Sequence, residues 1–211
     1  MNQSVELPMS TPDVFFKSTD TWLHSDDQLN ELYPLHLQRL AKKHWTPLAI
    51  AQKTASFLAA ENGVRVLDIG CGIGKFCLGA AEFKPHSFFY GVEQRKNLVY
   101  YAEKAKTILG LENVDFLHGN FTQLNLTHYD HFYFYNSFYE NLFETDKIDD
   151  TLTYSESLYH YYNRYLYRQL ELMPSGTRLA TFHSLEGEIP CSYHIVKTEA
   201  DDLLKFWIKV N

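Results

Sequence analysis

The sequence predicts a doubly wound α/β fold: a mostly parallel seven-stranded sheet that ends in an antiparallel hairpin. Three observations carry this prediction. From Val64 onward, short β-like runs alternate with helical stretches, the pattern of right-handed strand–helix–strand crossovers. One junction, Asp68-Ile69-Gly70-Cys71-Gly72-Ile73-Gly74-Lys75-Phe76, passes from an apolar strand to a helix through a glycine-rich turn. The last two β-like runs, Tyr193–Thr198 and Leu203–Val210, have no room for a helix between them and turn at Asp201-Asp202.

The elements follow in order. Pro8 and Pro12 break any helix in the first 25 residues. Leu29, Leu32, Leu37 and Leu40 then trace a helical pattern interrupted near Pro34, and a second helix starts from Pro47 as a first-turn proline and stops at Asn62-Gly63. Strands are expected at Val64–Ile69, Ser87–Val92, Val114–His118, His131–Tyr135 and Thr177–His183. The helices between them are Lys75–Phe83, Leu98–Leu109 and Leu152–Met173. The last presents Leu158, Tyr161, Tyr162, Tyr165 and Leu166 on one face. Residues 1–60 are expected to form an N-terminal helical lid, and residues 61–211 the main domain.

Composition narrows the class. At 211 residues, 45% hydrophobic and 21% charged, the chain suits one domain with a real core. Disorder, collagen and disulfide-scaffold readings are excluded. Aromatic residues reach 16%, with 15 Tyr and 15 Phe, more than a core requires. The net charge of −7, from 19 basic and 26 acidic residues, argues against non-specific nucleic-acid binding, which needs Lys and Arg to neutralise phosphates. Cys71, Cys77 and Cys191 lack metal-site spacing, and no His-x-x-x-His pair shares a helix face with a carboxylate, so no metal is expected. No signal peptide is evident, and no apolar run reaches the ~18 residues that a membrane span needs. A cytoplasmic protein with reduced thiols is the expectation, and the sequons at Asn2, Asn120 and Asn125 are chance matches.

The glycine turn supplies a concave, donor-rich site at a helix N-terminus. Its spacing is Gly-x-Gly-x-Gly rather than that of dinucleotide binders. Asp68, at the strand end, would repel a pyrophosphate and suits an ammonium group. The segment resembles motif I of the class I, seven-strand, S-adenosylmethionine-dependent methyltransferases, which have a Rossmann-like fold. The resemblance implies that Gly70, Cys71, Gly72 and Gly74 receive the amino-acid part of S-adenosylmethionine, with Asp68 helping to hold its ammonium group.

The next strand ends in Gly91-Val92-Glu93-Gln94, and Glu93 would accept hydrogen bonds from the two ribose hydroxyls, with Gln94 beside it. After the third strand, the family usually carries Asp where this chain has Asn120. The Asn120 amide oxygen can still accept from the adenine amino group, and Phe121 would face the ring. Thr46-Pro47 resembles the helix entry of the seven-strand (non-SET) histone-lysine methyltransferases and would place Thr46 near the cofactor.

After the fourth strand comes Asn136-Ser137-Phe138-Tyr139-Glu140-Asn141, similar to the acceptor loops of amino-group methyltransferases. Methyl transfer is an in-line displacement, so the protein must chiefly align the nucleophile and exclude water. Asn136 and Tyr139 are the candidate catalytic residues, and Asn136 also borders the cofactor. Tyr133 and Phe134 read as core. His183 reads as structural or as reaching the substrate, and His44-Trp45 as a cap or as packing. The leading expectation is methylation of an amine, with a protein lysine among the candidates, although no basic block of the kind histone enzymes carry occurs in these residues. Open beside it are O- or N-methylation of a small metabolite in an aromatic pocket, and a partner- or cofactor-binding protein without catalysis.

Overall fold

A computed structural model describes residues 23–142 and 146–210; the reading of an irregular first segment falls mostly outside them. Seven strands form one sheet in the order β3-β2-β1-β4-β5-β7-β6. They are β1 (Arg65–Ile69), β2 (Phe88–Glu93), β3 (Val114–His118), β4 (His131–Phe134), β5 (Arg178–Phe182), β6 (Tyr193–Glu199) and β7 (Leu204–Lys209). β1 to β5 pair in parallel, and β7 runs antiparallel to both β5 and β6. The hairpin turns through Ala200, Asp201 and Asp202, all with positive φ.

The helices are α1 (Asp26–Glu31), α2 (Leu35–Gln38), α3 (Ala41–His44), α4 (Leu48–Leu58), α5 (Lys75–Phe83), α6 (Lys96–Leu109) and α7 (Glu156–Glu171). Strand alternation divides the core in two. Val66, Phe89, Tyr133 and Ala180 face the helices α4, α5 and α6. Leu67, Ile69, Phe132, Phe134 and Leu179 face the other way, onto α7. Tyr133 and Phe134 are thus core residues, as read from the sequence.

Several boundaries move for physical reasons. Pro47 occupies the N-cap of α4, not its first turn; its extended backbone (φ −62°, ψ 146°) precedes the helix. That helix ends at Leu58, short of Asn62-Gly63, and Gly63 instead takes the left-handed turn before β1. α7 begins at Glu156 rather than Leu152, because the Ser155 hydroxyl accepts from Leu158 N–H and caps it. Its buried stripe is Tyr162, Leu166 and Leu170, while Tyr161 points to solvent. The far end of α7 is finished by a strand residue: the buried ammonium of Lys209 donates to the carbonyls of Leu170, Glu171 and Met173. A cation there complements the negative end of the helix dipole.

The switch in strand order between β1 and β4 is where such sheets open a crevice at their carboxyl ends. The candidate site lies at these strand ends.

Candidate functional site

A cleft of about 600 Å³ opens at the carboxyl ends of β1, β2, β4 and β5. Its floor is the glycine turn. Gly70, Gly72 and Gly74 all adopt positive φ, and the N–H groups of Gly70 and Cys71 both donate to the Val92 carbonyl, tying the turn to β2. Gly70 has a second constraint. A Cβ there would lie 2.4 Å from the Ser137 side chain, which reaches across from the β4 loop to donate to the Ile69 carbonyl at 2.7 Å.

Glu93 stands at the end of β2, buried against the cleft. One carboxylate oxygen accepts from Gly72 N–H at 3.2 Å and the other from Arg95 N–H at 2.8 Å. Burial raises its pKa, with Arg95 opposing. Asp68 is 3% exposed. Its one hydrogen-bond donor among the described residues is the Cys77 thiol, and burial holds its pKa well above the carboxylate range.

Asp68 lines a separate small pocket with Thr46, Cys71 and Lys75. Thr46 reaches the Tyr133 hydroxyl at 3.0 Å rather than the main cleft. The segment before α4 is fastened to the glycine turn at three points. The Tyr33 hydroxyl donates to the Ile73 carbonyl at 2.9 Å, Lys75 pairs with Asp26 at 2.8 Å, and the Trp45 ring covers Gly72.

On the adenine side of the expected site, Phe121 stacks on Phe138, with centroids 5.0 Å apart and planes at 23°. Tyr162 meets Phe121 edge-on, and all three line the cleft with Gln94. Part of the aromatic excess therefore forms a pocket wall. Asn120 departs from its expected role, because its side-chain oxygen accepts from the Thr122 N–H and hydroxyl and so caps a 3-10 turn. Its amide nitrogen donates to Gln94 Oε1 and the Tyr162 hydroxyl, which leaves it a brace behind the wall. Gly74 stands at the N-cap of α5 and leaves room for Phe116, again behind the cleft.

Beyond the glycine turn, Asn136, His183 and His44 line the cleft. Asn136 and His183 lie just after β4 and β5 with positive φ of 41° and 57°, a conformation costly outside glycine and concentrated at functional sites. Tyr135 stacks on His183 at 5.6 Å. Burial lowers the pKa of both His44 and His183, which keeps the imidazoles neutral near pH 7. Tyr139 stands at the rim, 50% exposed. Lys43 and Asp146 form an exposed ion pair at the mouth.

Arg95 is the residue that sequence reasoning missed. It is 4% exposed and meets Glu93, Glu140 and Asp149 from within the cleft wall.

The residues present fit S-adenosylmethionine: a carboxylate at a strand end for vicinal hydroxyls, an aromatic slot for a base, and a glycine cradle for the amino-acid tail. The comparisons agree. Residues 60–153 match the family model described as a methyltransferase domain. Residues 60–153 form a methyltransferase domain. Its cofactor is S-adenosylmethionine. The methyltransferase domain is similar to the tRNA (guanine-N(7)-)-methyltransferase of Microcystis aeruginosa, 46% identical over 85 residues, which are 40% of this chain and 40% of that protein. The enzyme of the same name from Nostoc sp. is 34% identical over 85 residues, 40% of this chain and 38% of its own length. The match thus spans about two fifths of these curated relatives.

Among solved structures, TrmN from Thermus thermophilus superposes with a TM-score of 0.57 at 22% identity, over 82% of this chain and 52% of that one. Magnesium protoporphyrin IX methyltransferase (ChlM) from Synechocystis PCC 6803, with bound SAM, gives 0.55 at 17% identity, over 87% and 90%. At such identities the likeness concerns the fold. Among the described residues, no helix is long and apolar enough to cross a membrane.

Proposed function

We propose that the chain transfers the methyl group of S-adenosylmethionine to a nitrogen acceptor held between Asn136 and His183. The observation that carries this reading is the set of unspent polar groups past the glycine turn. Asn136, His44 and His183 line the cleft, and none of their side chains has a hydrogen-bond partner among the described residues. When bound, the cofactor supplies a methyl group on a positively charged sulfur. The Asn136 carbonyl accepts an acceptor N–H and orients the nitrogen lone pair toward the glycine turn. The neutral imidazole of His183 is available to take the proton that an amine releases. Tyr135 and Phe138 exclude water, and Tyr139 at the rim steers the acceptor's entry. The segment from Asp26 to Thr46, fastened to the glycine turn, acts as the cover over the cofactor's amino-acid end.

The names of the curated relatives favour a second reading, in which the nitrogen belongs to a base in RNA. Against a broad phosphate grip stand the net charge of −7 and the single Lys42-Lys43 pair at the mouth. Incubation with methyl-labelled S-adenosylmethionine and separate pools of protein, tRNA and small metabolites tests both readings. Label on nitrogen in protein or in small amines supports the first, and label on a tRNA base supports the second. Label confined to oxygen acceptors overturns the nitrogen assignment.

A further inference from the structure

We propose that Arg95 is a positioning residue that couples the ribose seat to the acceptor-side wall of the cleft, so that filling one orders the other. The inference rests on the methyltransferase reading and deepens it.

The guanidinium is enclosed, and its polar contacts among the described residues fall on two sides. On the cofactor side, Nη1 lies 3.5 Å from Glu93 Oε1, and the Arg95 backbone N–H donates to that same oxygen at 2.8 Å. On the acceptor side, Nη2 donates to both Glu140 oxygens, at 3.0 and 2.9 Å, and to the Tyr154 hydroxyl at 2.7 Å. Nε donates to Asp149 Oδ1 at 3.1 Å. The acceptor-side groups are also joined to one another. Glu140 accepts from Ile148 N–H at 2.6 Å, and the Tyr154 hydroxyl donates to the Asp149 carbonyl at 2.7 Å. Glu140, Ile148 and Tyr154 all line the cleft.

One buried cation therefore compensates three carboxylates, two of which hold the acceptor-side wall in place. Removing it leaves buried like charges facing one another, a costly state that the wall relieves by opening. Ribose hydroxyls donating to Glu93 draw on the same carboxylate that Arg95 holds by side chain and backbone. A change in Glu93's position or charge compensation is transmitted directly to Glu140 and Asp149. Arg suits this role because its planar fork addresses several acceptors at fixed angles, which the single ammonium of Lys cannot do.

The test uses S-adenosylhomocysteine as the probe, with calorimetry for affinity and amide hydrogen exchange for order. In the unmodified protein, the probe should slow exchange in residues 139–142 and 146–154 as well as around Gly70–Gly74. Arg95→Met should weaken probe binding at least about fivefold, within the usual range of coupling between sites, and abolish the slowing in the wall. Glu140→Gln, which leaves the Arg95–Glu93 contact intact, guards against a folding defect. It should retain slow exchange in β1 and β4 while losing the probe-induced slowing of the wall. Wall protection that responds to the probe in both variants as in the unmodified protein would overturn the coupling. So would probe binding that leaves the wall of the unmodified protein unchanged. Failure of the unmodified protein to bind the probe at all would overturn the methyltransferase reading and the coupling with it.

Discussion

The indole of Trp45 occupies the space that a side chain on Gly72 would need: an added Cβ would lie 2.5 Å from Trp45 Cζ3. Trp45 is itself fixed, donating from Nε1 to the Leu37 carbonyl at 2.9 Å. The segment before α4 and the glycine turn are therefore in contact through a glycine that also has positive φ.

Gly72→Ala should accordingly lower stability by roughly 1–3 kcal/mol, from overpacking and backbone strain together. It should also weaken S-adenosylmethionine binding, because the turn must shift. Thermal melts with and without the cofactor check this, and an unchanged melting temperature would show that Trp45 yields freely.

Asp68 gives a prediction with a definite sign. Its folded-state pKa is raised by burial, so ionisation costs stability. That cost is absent below the unfolded pKa of about 3.9 and grows as pH rises toward the folded value. Asp68→Asn should therefore raise the melting temperature of the cofactor-free protein at neutral pH, with the gain shrinking as pH falls toward 4. The same change should weaken cofactor binding, since the ammonium group loses a negative partner. Melting curves across pH, paired with calorimetry, measure both.

Much of this site was legible because its signals are local. Glycines two apart after an apolar strand, and Glu93 at the end of the next strand, announce themselves within a few residues. Arg95 does not, because Glu140, Asp149 and Tyr154 lie 45, 54 and 59 positions away and no spacing rule links them. Asn120 was misread for a different reason. Asn120-Phe121-Thr122-Gln123 carries the residues of a capping box, and that local hydrogen bonding uses the oxygen that was assigned to adenine. The order of strands and helices was legible too, since helix and strand periods depend on neighbours. The helix starts and stops around Pro47 and Ser155 shifted because single capping contacts decide them.

Lys209→Met should destabilise the protein by about 2 kcal/mol, the scale for hydrogen bonds to a charged group. The loss follows from the carbonyls of Leu170, Glu171 and Met173 losing a charged donor. Chemical denaturation provides the number, and cofactor affinity should be little altered because the site lies at the other end of β7.

Asn136→Ala should reduce turnover on the nitrogen acceptor on the order of 100-fold while leaving cofactor affinity nearly unchanged. Equal losses in both would make Asn136 a cofactor-binding residue alone.

His183→Gln should lower turnover and remove an acid-side limb from the pH profile. Burial keeps that imidazole neutral to lower pH than an exposed histidine. Activity should therefore persist on the acid side of the ordinary histidine range, and profiles between about pH 5 and 8 would show the limb and its loss.

The most direct test of the central claim is a calorimetric titration of S-adenosylmethionine into the unmodified protein and into Glu93→Ala. A class I cofactor seat predicts one site per chain, weakened at least roughly tenfold in the variant, the scale of a charge-assisted hydrogen bond. Absence of binding by the unmodified protein, or equal affinity in both, would contradict it.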